Sequence, residues 1–185
     1  KEVPDIEVEK IYLDDIPIDM YTFENSKAPL PHEVEFAELA RKIISDATGL
    51  VIATPTYNFS VPAHLKNFID RIRFFALDFT QKTKLGQPQG KLEHLKTYFL
   101  VSGGTPRWAE TLLFFAFPAF WLRGVFLYFN AKVMGALYSG DIKTYENKKI
   151  LAKCQKQGRI YARKVKLCKN HGILENIFFR PPQIR

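Results

Sequence analysis

Residues 50–71, LVIATPTYNFSVPAHLKNFIDR, change hydrophobic period twice in a short span, and that change fixes the kind of fold the chain can adopt. Leu50-Val51-Ile52-Ala53-Thr54 is a continuous aliphatic and β-branched run of strand length, the pattern of a strand covered on both faces in a parallel sheet. Pro55 ends it. From Pro62 onward Leu65, Phe68, Ile69 and Ile72 fall at spacings of three, four and seven, which is one stripe of an amphipathic helix. Pro62 suits the first turn of that helix, where its missing N–H costs nothing.

Between strand and helix lies the loop Thr56-Tyr57-Asn58-Phe59-Ser60-Val61. It sits at the carboxyl end of a strand, the edge where open α/β sheets bind ligands. The loop offers an aromatic face in Tyr57 or Phe59, an amide in Asn58, hydroxyls in Thr56 and Ser60, and backbone N–H groups beside a helix N-terminus. That set suits a flat heteroaromatic ligand with polar edges. The same residues also describe an ordinary capped turn, since strand–loop–helix units recur in proteins that bind nothing there.

The segment PTYNFSVPAHLKNFIDRI resembles the flavin-binding segment of the flavodoxin-like NAD(P)H:acceptor oxidoreductases, the group that includes quinone reductases, azoreductases and FMN reductases. The positions that match its P-x-Y-N-x-S-x-P-x-x-LKN-x-x-D pattern are Pro55, Tyr57, Asn58, Ser60, Pro62, Leu65, Lys66, Asn67 and Asp70. The resemblance implies an α/β, flavodoxin-like three-layer sandwich with a parallel sheet, FMN as cofactor and NAD(P)H as co-substrate. It implies two-electron reduction of a quinone, azo, nitro or flavin acceptor, with Pro55, Thr56, Tyr57, Asn58, Phe59 and Ser60 against the isoalloxazine and ribityl. Homodimers with flavin sites near the interface are typical of the family.

Residues 97–102, TYFLVS, read as a second buried strand, which ends in Gly103-Gly104-Thr105-Pro106-Arg107-Trp108. Two glycines at a strand end allow close backbone approach to a ligand, although a lone Gly-Gly more often marks a turn. By the resemblance, Ser102, Gly103, Gly104 and Thr105 contact the pyrimidine side of the flavin. Hydrogen bonds to the reduced ring are expected from the backbone around Asn58 and Gly103-Gly104. Trp108 and Arg107 stand where they could line an acceptor pocket. Quinone reductases of the family also use a Tyr and a His shortly after these glycines, but no His occurs between His94 and His171. That relay does not carry over.

Residues 8–13, VEKIYL, alternate apolar and polar and read as a strand. The resemblance makes it the second strand of the family, so the first strand and the phosphate-gripping loop are expected to be absent from this chain. In the order 2-1-3-4-5 the first strand lies mid-sheet, and its loss would leave unpaired N–H and C=O groups in a central gap. About 30 to 40 further residues, one βα unit, are therefore expected ahead of Lys1.

The remaining elements follow by pattern. Residues 22–30 read as a loop, 33–46 as an amphipathic helix burying Val34, Ala37, Ile43 and Ile44, and 74–90 as a long surface connection. Residues 112–129, LLFFAFPAFWLRGVFLYF, are too interrupted by Pro118 and Arg123 for a spanning helix. They read as a core helix whose outer face packs on another subunit, with membrane-surface docking the lesser possibility. Residues 132–139 read as the last strand and 145–169 as the last helix, with Ile150, Cys154, Tyr161, Val165 and Cys168 as its buried stripe. One domain over 1–172 and an extension over 173–185 are expected.

The net charge of +8 is local: residues 143–169 hold ten Lys or Arg against the acid Glu146, which reads as a solvated helix face rather than a nucleic-acid stripe. Cys154 and Cys168 are about 21 Å apart along a helix, too far to bond, and fit a reducing, cytoplasmic setting. His32, His64, His94 and His171 show no metal-ligand spacing; His64, near the loop, is the one of interest. Two other classes stay open on sequence: a flavodoxin-type electron carrier, against which the basic charge argues, and a flavin-free protein binding a membrane or partner through 112–129.

Overall fold

A computed structural model of the chain describes residues 6–113, 117–140 and 147–166. Three parallel strands form the sheet in the order β1 (Gly49–Pro55), β4 (Lys96–Ser102), β5 (Lys132–Ser139). β4 is central and almost wholly buried, as its TYFLVS run predicts. Neighbouring residues on a strand point to opposite faces. Phe99 meets Phe126 of α4 (Phe117–Tyr128), whereas Tyr98 meets Tyr161 of α5 (Lys148–Lys166). Helices lie on both faces of a parallel sheet, the three-layer α/β arrangement expected. β1, however, read as covered on both faces, is buried on one only: Ile52 and Thr54 point into the core while Val51 and Ala53 are exposed on the Tyr98 side.

The larger core lies on the Phe99 face. There α1 (Val34–Ser45) and α2 (Ala63–Ala76) interlock through Phe36 and Phe68, with Ile52, Ile69, Ile72, Leu122 and Phe126 buried around them. On the other face α5 is clamped at the amino-terminal end of the sheet. Its Tyr161 hydroxyl donates to the Lys96 carbonyl (2.7 Å), and the Lys96 ammonium donates to the carbonyl of Val165 in the last turn (3.3 Å). Gly49 allows this approach, because a Cβ there would lie 2.7 Å from the Tyr161 hydroxyl.

Several expectations need correction. Residues 8–13 form no strand: residues 6–12 are irregular and Leu13–Asp15 make one 3-10 turn. A strand exists through its ladder, and no described strand lies beside this segment. It is held instead by a Glu9–Lys42 ion pair and by Leu13, Ile16 and Ile18 packing on the core. Val34 is exposed at the start of α1. The presumed surface connection at 74–90 completes α2 and then forms an antiparallel hairpin, β2 (Leu77–Lys82) with β3 (Pro88–Gly90), docked by Lys91 N–H to Ala76 and Leu92 N–H to Phe129. β3 is only three residues, Pro-Gln-Gly, and β2 alternates only over Leu77-Asp78-Phe79-Thr80 before turning polar, which is too little pattern to mark a hairpin.

The run 112–129 is divided. α3 (Arg107–Leu113) precedes α4, residues 114–116 are outside the described part, and Pro118 sits in the first turn of α4, where its ring is tolerated. On α5, Val165 is buried but Ile150, Cys154 and Tyr161 are half-buried, because the helix meets the sheet mainly at its C-terminal end; Cys168 lies outside the described residues. The 173–185 extension lies there too. No helix among the described residues is long and apolar enough to cross a membrane.

Candidate functional site

β1 and β4 run in register to their last residues, which pairs Pro55 with Ser102. Beyond that pair the Thr56 N–H donates to the Ser102 carbonyl (2.6 Å), and the Gly103 N–H donates to the Ser139 carbonyl (2.9 Å). The carboxyl ends of all three strands are thereby joined into one edge. The two predicted loops meet there.

Past Thr56 the chain reverses at once. Tyr57 and Ser60 exchange both backbone hydrogen bonds at 2.9 Å, and φ is +48° at Asn58 and +62° at Phe59. Positive φ at both central residues is the type I′ turn. Asn tolerates it; a phenylalanine held there costs about 1–2 kcal/mol. The turn leaves Tyr57, Asn58 and Phe59 exposed above the sheet edge.

Behind the turn the edge is polar but incompletely satisfied. The Thr56 hydroxyl oxygen is buried without a partner. A Cβ on Gly103 would lie 2.7 Å from the Tyr138 hydroxyl and 3.3 Å from the Thr56 Cβ, so glycine is what lets these two side chains close on the loop. The Tyr138 hydroxyl donates to the Thr105 carbonyl (2.9 Å). Glu110 of α3 is 1% exposed, and neither of its carboxyl oxygens has a partner. Burial pushes the Glu110 carboxyl pKa up. The Tyr138 phenol is raised by burial and then by the Glu110 charge, against the Thr105 hydrogen bond.

The structure thus brings Pro55, Thr56, Ser102, Gly103 and Thr105 together, with the Tyr57–Ser60 turn standing over them and Gly104 exposed between. Trp108 is 65% exposed on α3. Because the Gly103 N–H is committed to Ser139, the donor expected from Gly103-Gly104 is not that group. His64 pairs with Asp14 (2.8 Å). Sequence reading missed Glu110 and Tyr138. The signal for the first was a solitary acid in the apolar stretch 106–129, and for the second its place at the end of β5 beside Val101. Among the described residues no group of three or more His, Cys, Asp and Glu is arranged to hold a metal.

The rest of the motif supports the loop from below. Leu65 enters the core, and Lys66 pairs with Asp70 along the surface of α2 while its ammonium lies 5.7 Å from the Trp121 ring centre. Asn67 accepts from the Tyr21 N–H (2.8 Å) and donates to the Asp19 carbonyl (3.1 Å), so it straps residues 19–21 to the helix.

Comparison with known proteins agrees with this arrangement. The model of the NADPH-dependent FMN reductase family matches residues 1–138. An FMN-dependent NADH:quinone oxidoreductase of Mycoplasma pneumoniae is 32% identical over 105 residues, 55% of this chain and 52% of that protein. A second of that description, from Hahella chejuensis, is 50% identical over 64 residues, 34% of this chain and 30% of its own. The chain spans about half the length of the Mycoplasma pneumoniae relative. A crystal structure of an azoreductase from Bacillus anthracis superposes with a TM-score of 0.61 at 16% identity, covering 86% of this chain and 83% of that one. An FMN-dependent NADH-azoreductase from the same organism, solved with FMN, superposes at 0.54, also at 16% identity, over 86% and 80%. The fold is the flavodoxin-like one of those enzymes, and with well over half of its length matched by the family model, the chain belongs to the NADPH-dependent FMN reductase family.

Proposed function

We propose that this chain carries the FMN-binding core of an NAD(P)H-dependent oxidoreductase that passes two electrons to a quinone, azo, nitro or flavin acceptor. The observation that carries the reading is the tight Tyr57–Ser60 turn, with Tyr57, Asn58 and Phe59 exposed, standing over the joined carboxyl ends of β1, β4 and β5 beside the exposed Gly104. A strand edge at the topological mouth of a parallel sheet that offers aromatic, amide and glycine backbone groups suits a flat ligand with polar edges such as an isoalloxazine. The residues present fit the cofactor. Bound there, FMN would accept hydride from a nicotinamide and hand the electrons on.

The chain's own part is binding and orientation. Thr56 would hold the polar edge of the ring, and Tyr57 or Phe59 would give it an aromatic face. Gly103 and Gly104 would admit it to the backbone, with Ser102 and Thr105 beside them. Pro55 ends β1 ahead of the turn, and Ser60 closes the turn on Tyr57. No side-chain nucleophile is required. The exposed Asn58 amide would donate where negative charge grows on the ring.

Trp108 and Leu112 of α3 and Phe117 and Phe120 of α4, all exposed, support a homodimer, because large apolar side chains left in water are best covered by a second copy. A cytoplasmic setting is consistent with the half-buried free thiol of Cys154. Steady-state oxidation of NADH and NADPH by the full chain with FMN, using a quinone and an azo dye in turn, tests the function. FMN-dependent turnover with either acceptor is expected. Tight FMN binding without nicotinamide oxidation would mark a carrier instead.

A further inference from the structure

Glu110 is poorly placed for a purely structural duty. Both of its carboxyl oxygens are buried without partners, and no described cation pairs with it. An apolar side chain would fill the same space without that penalty. The described ionisable group that feels its charge is Tyr138 of β5. Tyr138 in turn donates to the Thr105 carbonyl and lies against the Cα of Gly103. Glu110 lies one turn into α3, its N–H bonded to the carbonyl of Pro106 (3.0 Å) directly after Thr105, and the Tyr138 phenol is bonded to the same loop at Thr105 (2.9 Å).

We infer that Glu110 is a proton-accepting positioning residue of this site, taking up a proton when electron transfer adds negative charge in front of residues 103–105 and releasing it when that charge leaves. The inference rests on the FMN reading above. In a site poorly screened by water, added negative charge favours the neutral form of a nearby carboxyl. The balance is simple. Hydride from the nicotinamide adds one negative charge at the cofactor, and one solvent proton joins the Glu110 carboxylate to give the neutral acid. In the second half the acceptor takes a hydride equivalent and that proton, which makes a hydroquinone from a quinone, and Glu110 returns to the carboxylate. Burial already holds the carboxyl above the ordinary glutamate value, which favours its neutral form.

The test counts protons. The FMN-loaded full chain is reduced with dithionite in weak buffer, and proton uptake per flavin is measured from acid to alkaline pH for the natural chain and for Glu110→Gln. Infrared difference spectra are recorded alongside. The natural chain should take up more protons than the variant within one pH window, by up to one per flavin, and match it on either side. A carboxylic acid band should grow on reduction in that window and be missing in Glu110→Gln. Equal uptake at every pH, or no growth of that band, would overturn the inference. If Glu110→Gln does not fold, the band in the natural chain decides alone. A chain that leaves FMN absorbance as that of the free flavin would overturn the site itself, a failure distinct from bound flavin with equal proton counts.

Discussion

The guanidinium of Arg71 meets the carboxylate of Glu33 in a bidentate pair at 2.8 and 2.5 Å, with both side chains wholly buried between α1 and α2. Glu33 also accepts the N–H groups of Leu30 (2.6 Å) and Asp19 (2.9 Å), and Arg71 donates to the Asp19 carbonyl (2.8 Å). One ion pair thus ties the 19–33 excursion to the helix that follows the candidate ligand turn. Burial pushes the Glu33 pKa up, but the Arg71 and backbone hydrogen bonds together with the Arg71 charge outweigh it, so the net direction is down. Breaking a buried pair strands the other charge. Glu33→Gln should lose about 3 kcal/mol in urea unfolding. A lowered pKa contributes stability that is complete above the ordinary glutamate value and is lost as pH falls through the folded one. The natural chain should therefore lose this part of its advantage over the variant only in acid.

Phe59 occupies a position in its turn that glycine fills at no steric cost. Phe59→Gly should relieve strain, partly offset by the flexibility gained in the unfolded chain, for a net gain of about 1 kcal/mol in thermal or urea unfolding. The same change removes an aromatic face from the ligand edge and should weaken FMN by about 1 kcal/mol, several-fold in Kd, in a fluorescence titration. Opposite signs for stability and affinity would mark the strain as serving the ligand.

Gly103→Ala places a methyl 2.7 Å from the Tyr138 hydroxyl, so one of the two must shift. A cost of about 1–3 kcal/mol in stability is expected, together with a roughly tenfold or greater loss of FMN affinity, about 1.4 kcal/mol. Adding Tyr138→Phe removes the obstructing oxygen. The double variant should recover part of both losses, a coupling that a double-mutant cycle reads directly.

Glu110 gives the opposite pH signature to Glu33. Its folded pKa is raised, so its stabilising share is complete below the unfolded value and is lost as pH rises through the folded one. The natural chain should lose stability relative to Glu110→Gln as pH rises from mildly acid to neutral. Urea midpoints of the two across that range check it; parallel curves would mean the carboxyl is not held up.

The sheet was legible because β1, β4 and β5 are apolar runs bounded by turn residues, although only β4 proves almost wholly buried and Val51 of β1 is exposed. The site was half legible. Thr56, Ser102, Gly103 and Thr105 follow from strand ends, but Asn67 and Arg71 lie in the same motif and turn out to serve the 19–33 excursion, which no spacing reveals. Residues 8–13 alternate like a strand and form none, since alternation records one apolar face and not a neighbour to pair with. Glu110 and Tyr138 come from elements 28 positions apart in sequence and meet only through the fold.

The most direct test of the account is the anaerobic visible spectrum of the full chain loaded with FMN, before and after NADH and then NADPH. A yellow protein is expected, its flavin absorbance bleached by at least one nucleotide and restored by a quinone. A chain that leaves FMN unbound, or holds it and is bleached by neither nucleotide, would contradict it.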